Sequence, residues 1–177
     1  MLFNSLNYLV FFPIVLLLYF VLPKKVRYLW LLGASYYFYA CWNAKYALLL
    51  LFSTGVTYAS GLLIASARKR GQKTKMKLWV AWSFVINLAI LAVFKYSGFV
   101  AENVNALMAA LGSSARMGAP DVLLPVGISF YTFQALSYTM DVYRGELPEE
   151  RNFFMYALYV SLFPQLVAGP IERSTSL

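Results

Sequence analysis

LPVGISFYTFQALSYTMDVYRGELPEERNFFMYALYVSLFPQLVAGPIER, residues 124–173, carries the densest mixture of apolar and polar signals in the chain. At helical spacing Gly127, Tyr131, Gln134, Tyr138 and Asp141 follow one another by four, three, four and three residues, which stacks their side chains on one helix face. Phe133, Leu136 and Met140 fall elsewhere around the same helix. A polar stripe on so apolar a helix is the pattern of a segment with one face toward lipid or packed protein and the other lining a cavity. It is equally the pattern of a buried helix whose hydroxyls and amide bond neighbouring helices. A hydrocarbon-facing Asp141 is costly, so the stripe is predicted to face protein or a water-filled chamber.

Outward from this stretch the composition points to a membrane protein. Of 177 residues, 61% are hydrophobic and 12% charged, against a globular expectation of about half and about a quarter. Fifteen Lys and Arg against seven Asp and Glu leave a formal charge of +8. In a soluble chain that balance would suggest nucleic acid. Here the cations sit between apolar runs, Lys24, Lys25 and Arg27 in one place and Arg68, Lys69, Arg70, Lys73, Lys75 and Lys77 in another, with no aromatic-interleaved basic groove. The expected partner is therefore the bilayer, with some attraction to anionic lipid, and not nucleic acid. One cysteine, Cys41, offers neither an internal disulfide nor a thiolate metal site.

In chain order, residues 7–22 make one apolar run long enough for a crossing, with Pro13 predicted to bend it and the positive cluster placed after it and not before it, unlike a secretory signal. Residues 28–42 are short and end in Tyr36, Tyr37, Phe38, Tyr39 and Trp42, rings that prefer the headgroup level. Residues 46–65 return, with Gly55 and Ala59 at small-xxx-small spacing beside Ser53 and Ser60. Residues 68–77 read as a basic connection and 78–94 as a fourth crossing. The first and third connections hold nine Lys and Arg and the second only Lys45, which predicts an N-terminus outside. Residues 97–122 read as an outer connection carrying one short surface helix near 100–111. Residues 123–143 are long enough to cross, and 152–171 are broken at Pro164 and at the Gly169, Pro170 pair, as discontinuous helices beside a functional cavity are.

The chemistry available is limited. Gly127, Ile128, Ser129, Phe130, Tyr131 opens like a nucleophile elbow but lacks the closing glycine, and no phosphate loop occurs. Asp141 and Arg144, three apart, are placed to pair near the membrane boundary. Glu146, Glu149, Glu150 and Arg151 read as a solvated turn after Gly145 and Pro148. No histidine is present, which removes the most frequent general base, and no other side chain is a convincing base at neutral pH.

The order of an FFP-containing first helix, ASYYFYACWN at 34–43, FKY at 94–96, LPVGISFYTFQALSYTMDVYRGE at 124–146 and FPQLVAGPIER at 163–173 resembles the membrane-bound O-acyltransferase family. The nearest branch is the bacterial alginate O-acetylase group, with the teichoic-acid D-alanyl transfer proteins more distant. The resemblance covers essentially the whole chain and implies a polytopic enzyme moving an acyl group, commonly acetyl, to hydroxyls of an exported polysaccharide such as alginate. Family members are much longer, and their catalytic histidine lies in the part that would follow residue 177. The expectation is thus an all-α, polytopic fold of about six transmembrane or membrane-embedded helices, one region over 1–177, forming the N-terminal portion of a larger acyltransferase and inactive alone.

By that resemblance Gln134, Tyr138, Asp141, Arg144, Pro164, Gln165, Gly169 and Pro170 are wall or scaffold residues of the reaction chamber, none of them catalytic. No bound cofactor is expected. An acyl donor or carrier on the cytoplasmic side is implied, together with a polysaccharide acceptor or an acetyl-relay partner, in a bacterial inner membrane. The alternative reading is a non-catalytic membrane module, a transporter-like solute-binding section or an envelope assembly protein.

Overall fold

A computed structural model of the chain describes residues 5–118 and 127–162. Among these residues there are six helices, α1 (Leu6–Val21), α2 (Lys24–Trp42), α3 (Ala44–Lys69), α4 (Lys73–Ala110), α5 (Ile128–Arg144) and α6 (Phe153–Ser161), and no strand. Two of them, α3 and α4, are long and apolar enough to cross a membrane; α1 is a shorter apolar helix.

Local chemistry sets the boundaries. Ser5 caps α1 by accepting from the Tyr8 backbone N–H, and the helix runs on through Pro13 to Val21. Pro23 then starts α2, so Lys24, Lys25 and Arg27 form its first turn and not a loop. Arg27 turns back to donate from Nε to the Leu22 carbonyl at 2.9 Å, covering the end of α1. Asn43 ends α2 and caps α3, its Oδ1 accepting from Lys45 N at 3.0 Å.

The predicted basic connection over 68–77 shrinks to residues 70–72, because Arg68 and Lys69 belong to α3 and Lys73 already belongs to α4. The fourth crossing does not stop at residue 94, and the helix expected near 100–111 is its continuation and not a separate surface piece. Helix α4 continues unbroken for 38 residues, about 57 Å at 1.5 Å per residue, well beyond a hydrocarbon core of about 30 Å. The lone Gly98 costs too little to interrupt a run rich in Ala and Leu with no proline, and the true stop comes at Gly112.

Helix α3 is the centre, packing against α2, α4, α5 and α6. Its inward face is small and polar, with Ser53, Thr54, Thr57, Ser60, Gly61, Ile64 and Ala65 all buried. Small side chains let helix backbones approach closely where the surrounding solvent is apolar. The hydroxyls are satisfied at home: Thr54 Oγ1 donates to Leu50 O at 2.7 Å and Ser60 Oγ to Val56 O at 2.8 Å. Ser53, about five turns before the α3–α4 connection, donates to Asn87 Oδ1, about four turns after it, so the two helices run antiparallel. The outward faces of α1 and α4 expose Leu9, Leu17, Phe20, Leu78, Val85 and Val93. Apolar stripes of this kind are at home against lipid and out of place in water.

Candidate functional site

Helix α5 runs parallel to α3 and is held along its length. Gly61 of α3 receives the Tyr138 ring: a Cβ at position 61 would stand 2.9 Å from Tyr138 Cε1 and 3.1 Å from its hydroxyl. The close-packing glycine is therefore Gly61. Gly55, the predicted one, has nothing within 4 Å of where its Cβ would be. One α-turn pair further along, Arg68 donates to the carbonyls of Val142 and Tyr143, the latter at 2.6 Å.

Those carbonyls lie in the last turn of α5, which lacks helical partners for them. Gly145, in the left-handed region at φ 81°, closes the same turn by bringing Gly145 N to Val142 O at 3.2 Å and Glu146 N to Asp141 O at 3.0 Å. The end of α5 is thus finished by its own glycine and by a cation from another helix. The cation also sits at the negative end of the helix dipole.

The segment after Gly145, predicted as a solvated turn, folds back on the bundle. Tyr138 Oη accepts from Glu150 N at 2.9 Å, and Tyr58 Oη donates to Arg151 O at 2.6 Å. Glu149, its side chain 17% exposed, accepts from Lys69 Nζ at 3.1 Å, with Arg151 at 3.4 Å. A hydrogen bond from its own backbone N–H, followed by the Lys69 ammonium, holds the Glu149 carboxyl down at about 2, from an ordinary value of 4.5. A depressed carboxyl stabilises the folded state fully above its unfolded value and loses that contribution as pH falls through its folded one. Acid titration of detergent-solubilised protein should therefore show a stability difference between wild type and Glu149→Gln that is full above 4.5 and fades toward 2. A difference independent of pH would mean that the carboxylate charge contributes nothing.

The polar stripe of α5 divides. Tyr131, Gln134 and Tyr138 are buried in protein, and Gln134 Nε2 donates to Tyr159 O at 2.9 Å, in the last turn of α6. Tyr138 and Tyr156 of α6 pack with ring centroids 4.5 Å apart, and Tyr156 Oη donates to Thr57 Oγ1 of α3. Among the described residues this side of α5 is interior. An open cleft of about 550 Å³ lies on the other side, between α4 and α5, lined by Phe84, Leu88, Phe133, Leu136, Met140 and Ser137, with Asp141, Arg144 and Glu146 at one end. Phe133 and Met140, read as lying away from the stripe, thus line the cleft, and Asp141 and Arg144 join them. The reason is geometric: on a 3.6-residue helix the three-residue step from Tyr138 leaves Asp141 about 60° around the axis, toward the side that carries Ser137 and Arg144. Pro164, Gln165, Gly169 and Pro170 lie outside the described residues, as do the predicted breaks around them.

A second set of polar groups escaped the sequence reading. Asn87 of α4 is buried, accepts from Ser53 and donates through Nδ2 to Ser83 O at 2.9 Å; Ser83 Oγ in turn lies 3.5 Å from Thr139 Oγ1 of α5. The signal was an amide in the middle of an otherwise apolar run, which at membrane depth marks an inward-facing position.

Over its whole length the chain is 39% identical to the probable alginate O-acetylase AlgI of Azotobacter vinelandii and 38% identical to that of Pseudomonas aeruginosa. It is 33% identical to a peptidoglycan O-acetyltransferase of Helicobacter pylori. The chain is homologous to the N-terminal third of these O-acetylases. It spans 35%, 34% and 38% of their respective lengths, so each relative carries about twice as much sequence again. No protein-family model matches the chain, and no solved structure does.

Proposed function

We propose that the chain forms the N-terminal, membrane-embedded part of an O-acetyltransferase acting on hydroxyls of an exported cell-envelope polysaccharide such as alginate. The observation that carries this reading is end-to-end similarity to O-acetylases at 38–39% identity. The relatives matched are acetyltransferases by name, which leaves the transporter-like and assembly-module readings without a supporting observation. The chain is polytopic in an inner membrane, with its N-terminus outside and the α3–α4 connection in the cytoplasm. In support, the antiparallel packing of α3 and α4 gathers Arg68, Lys69, Arg70, Lys73, Lys75 and Lys77 at one end of the bundle.

Acyl transfer to an alcohol requires a base for the hydroxyl proton and donors for the developing oxyanion. With no histidine in the sequence, the base is supplied from outside these 177 residues. This chain contributes walls: Gln134 and Tyr138 fix α6 against α5, and Asp141 and Arg144 edge the cleft from which an acyl donor or carrier on the cytoplasmic side would approach. The acceptor is the polysaccharide itself or a partner that relays the acetyl group to it.

The test is a chimera. Residues 1–177 purified alone should transfer no acetyl group, whereas the same residues replacing the N-terminal third of the A. vinelandii relative should support alginate acetylation in cells lacking that relative. Turnover by the isolated chain would place the base within it. A folded chimera without activity would remove the acetyltransferase reading.

A further inference from the structure

At the α3–α4 connection a second cleft, of about 450 Å³, is lined by Arg68, Gly71, Lys73, Met76, Lys77 and Tyr143. Three of its six lining residues are cations and none is a carboxylate. Glu149, in the segment after α5, already engages Lys69 and Arg151. The two bonds of Arg68 are to neutral carbonyls, those of Val142 and Tyr143. Lys73 is the first residue of α4, whose start has no side-chain cap and no acid in its first turn, so the positive end of a 38-residue helix opens at the same place. Met76 and the Tyr143 ring add an apolar wall. Side-chain charge, helix dipole and concavity coincide at one point, and each favours a compact anion with several acceptor oxygens.

We propose that this cleft binds an anionic phosphate, one not balanced by a cation of its own, at the basic end of the bundle. Two sources carry that chemistry: the headgroup of an anionic phospholipid at the membrane surface, or a soluble phosphate ester arriving from the same side. The site stands whether or not the chain takes part in acyl transfer.

The full chain in detergent distinguishes them. Native mass spectrometry with phosphatidylglycerol and phosphatidylcholine should show preferential retention of the former. Lys73→Gln and Lys77→Gln should each weaken that retention about fivefold. Both lysines are exposed, and unchanged circular dichroism will report intact folding. Lys24→Gln with Lys25→Gln, cations outside the cleft, should leave retention unchanged. If instead inorganic pyrophosphate raises the melting temperature of lipid-free protein, and the Lys73→Gln, Lys77→Gln double variant abolishes the rise, the site is a phosphate site served by a soluble ester. If the Lys24, Lys25 control weakens lipid retention as much as the cleft variants, the attraction belongs to the whole basic surface and the proposal fails. It fails equally if neither probe distinguishes the cleft variants from wild type.

Discussion

Gly61→Leu is expected to be strongly destabilising. A Cβ at that position would stand inside contact distance of the Tyr138 ring, and Tyr138 has no room to yield: Tyr156 lies on it at 4.5 Å between centroids, and its hydroxyl holds Glu150 N at 2.9 Å. Overpacking costs about 1–3 kcal/mol, and losing the bond to the Glu150 amide adds about 1 kcal/mol. A loss of about 3 kcal/mol is a large share of a marginal stability of about 5–15 kcal/mol. Thermal unfolding in detergent micelles should show this destabilisation, with Gly61→Ala milder. Gly55→Leu, which points a side chain into open space, should stay close to wild type. Equal damage from the two leucines would mean that added bulk anywhere on α3, and not the Tyr138 contact, is what both report.

Arg68→Met is expected to release the end of α5. The guanidinium donates to two last-turn carbonyls, Tyr143 and Val142, sharing the latter with Gly145 N, and hydrogen bonds from a charged donor contribute about 1.5–3 kcal/mol each. Methionine keeps the length and the packing of the stem but donates nothing. The expected outcome is a loss of about 2–4 kcal/mol, accompanied by faster amide exchange at Gly145 and Glu146, whose N–H groups close the same turn. Arg68→Lys should recover part of this, since an ammonium reaches one carbonyl but cannot fork across two. If exchange at Gly145 and Glu146 is unchanged in Arg68→Met, the glycine motif alone holds the helix end and the arginine is dispensable there.

These two positions show where sequence reading reaches and where it stops. Gly55 and Gly61 both sit on α3 among small residues, and spacing alone pointed to Gly55. Which glycine takes a ring depends on where α5 lies, and that is a property of two helices together. Arg68 belongs by charge to a juxtamembrane cluster, as read, yet its hydrogen bonds run to carbonyls more than seventy residues away. The extent of α4 was misread for a local reason: the polar Lys95–Tyr96 pair was taken as a boundary, and helix propensity carried the helix straight through it. The division of the α5 stripe was misread for a global one, because one face periodicity was allowed to stand for one environment.

Sequence by itself determined that the chain is helical, apolar enough for a membrane, basic in two clusters between its apolar runs and free of histidine, because composition and period are sums over residues that need no neighbour to define them. The motifs of residues 124–173 likewise sufficed to point to O-acylation, since a long string of matched residues is information carried in order alone. Tertiary structure decided which face of α5 is interior and which borders a cleft, which hydroxyls join Ser53, Asn87, Ser83 and Thr139 across three helices, and which cations cap and which remain open. Each of those is a relation between elements distant in sequence, set by how small residues let helices approach and by the requirement that every buried carbonyl and amide find a partner.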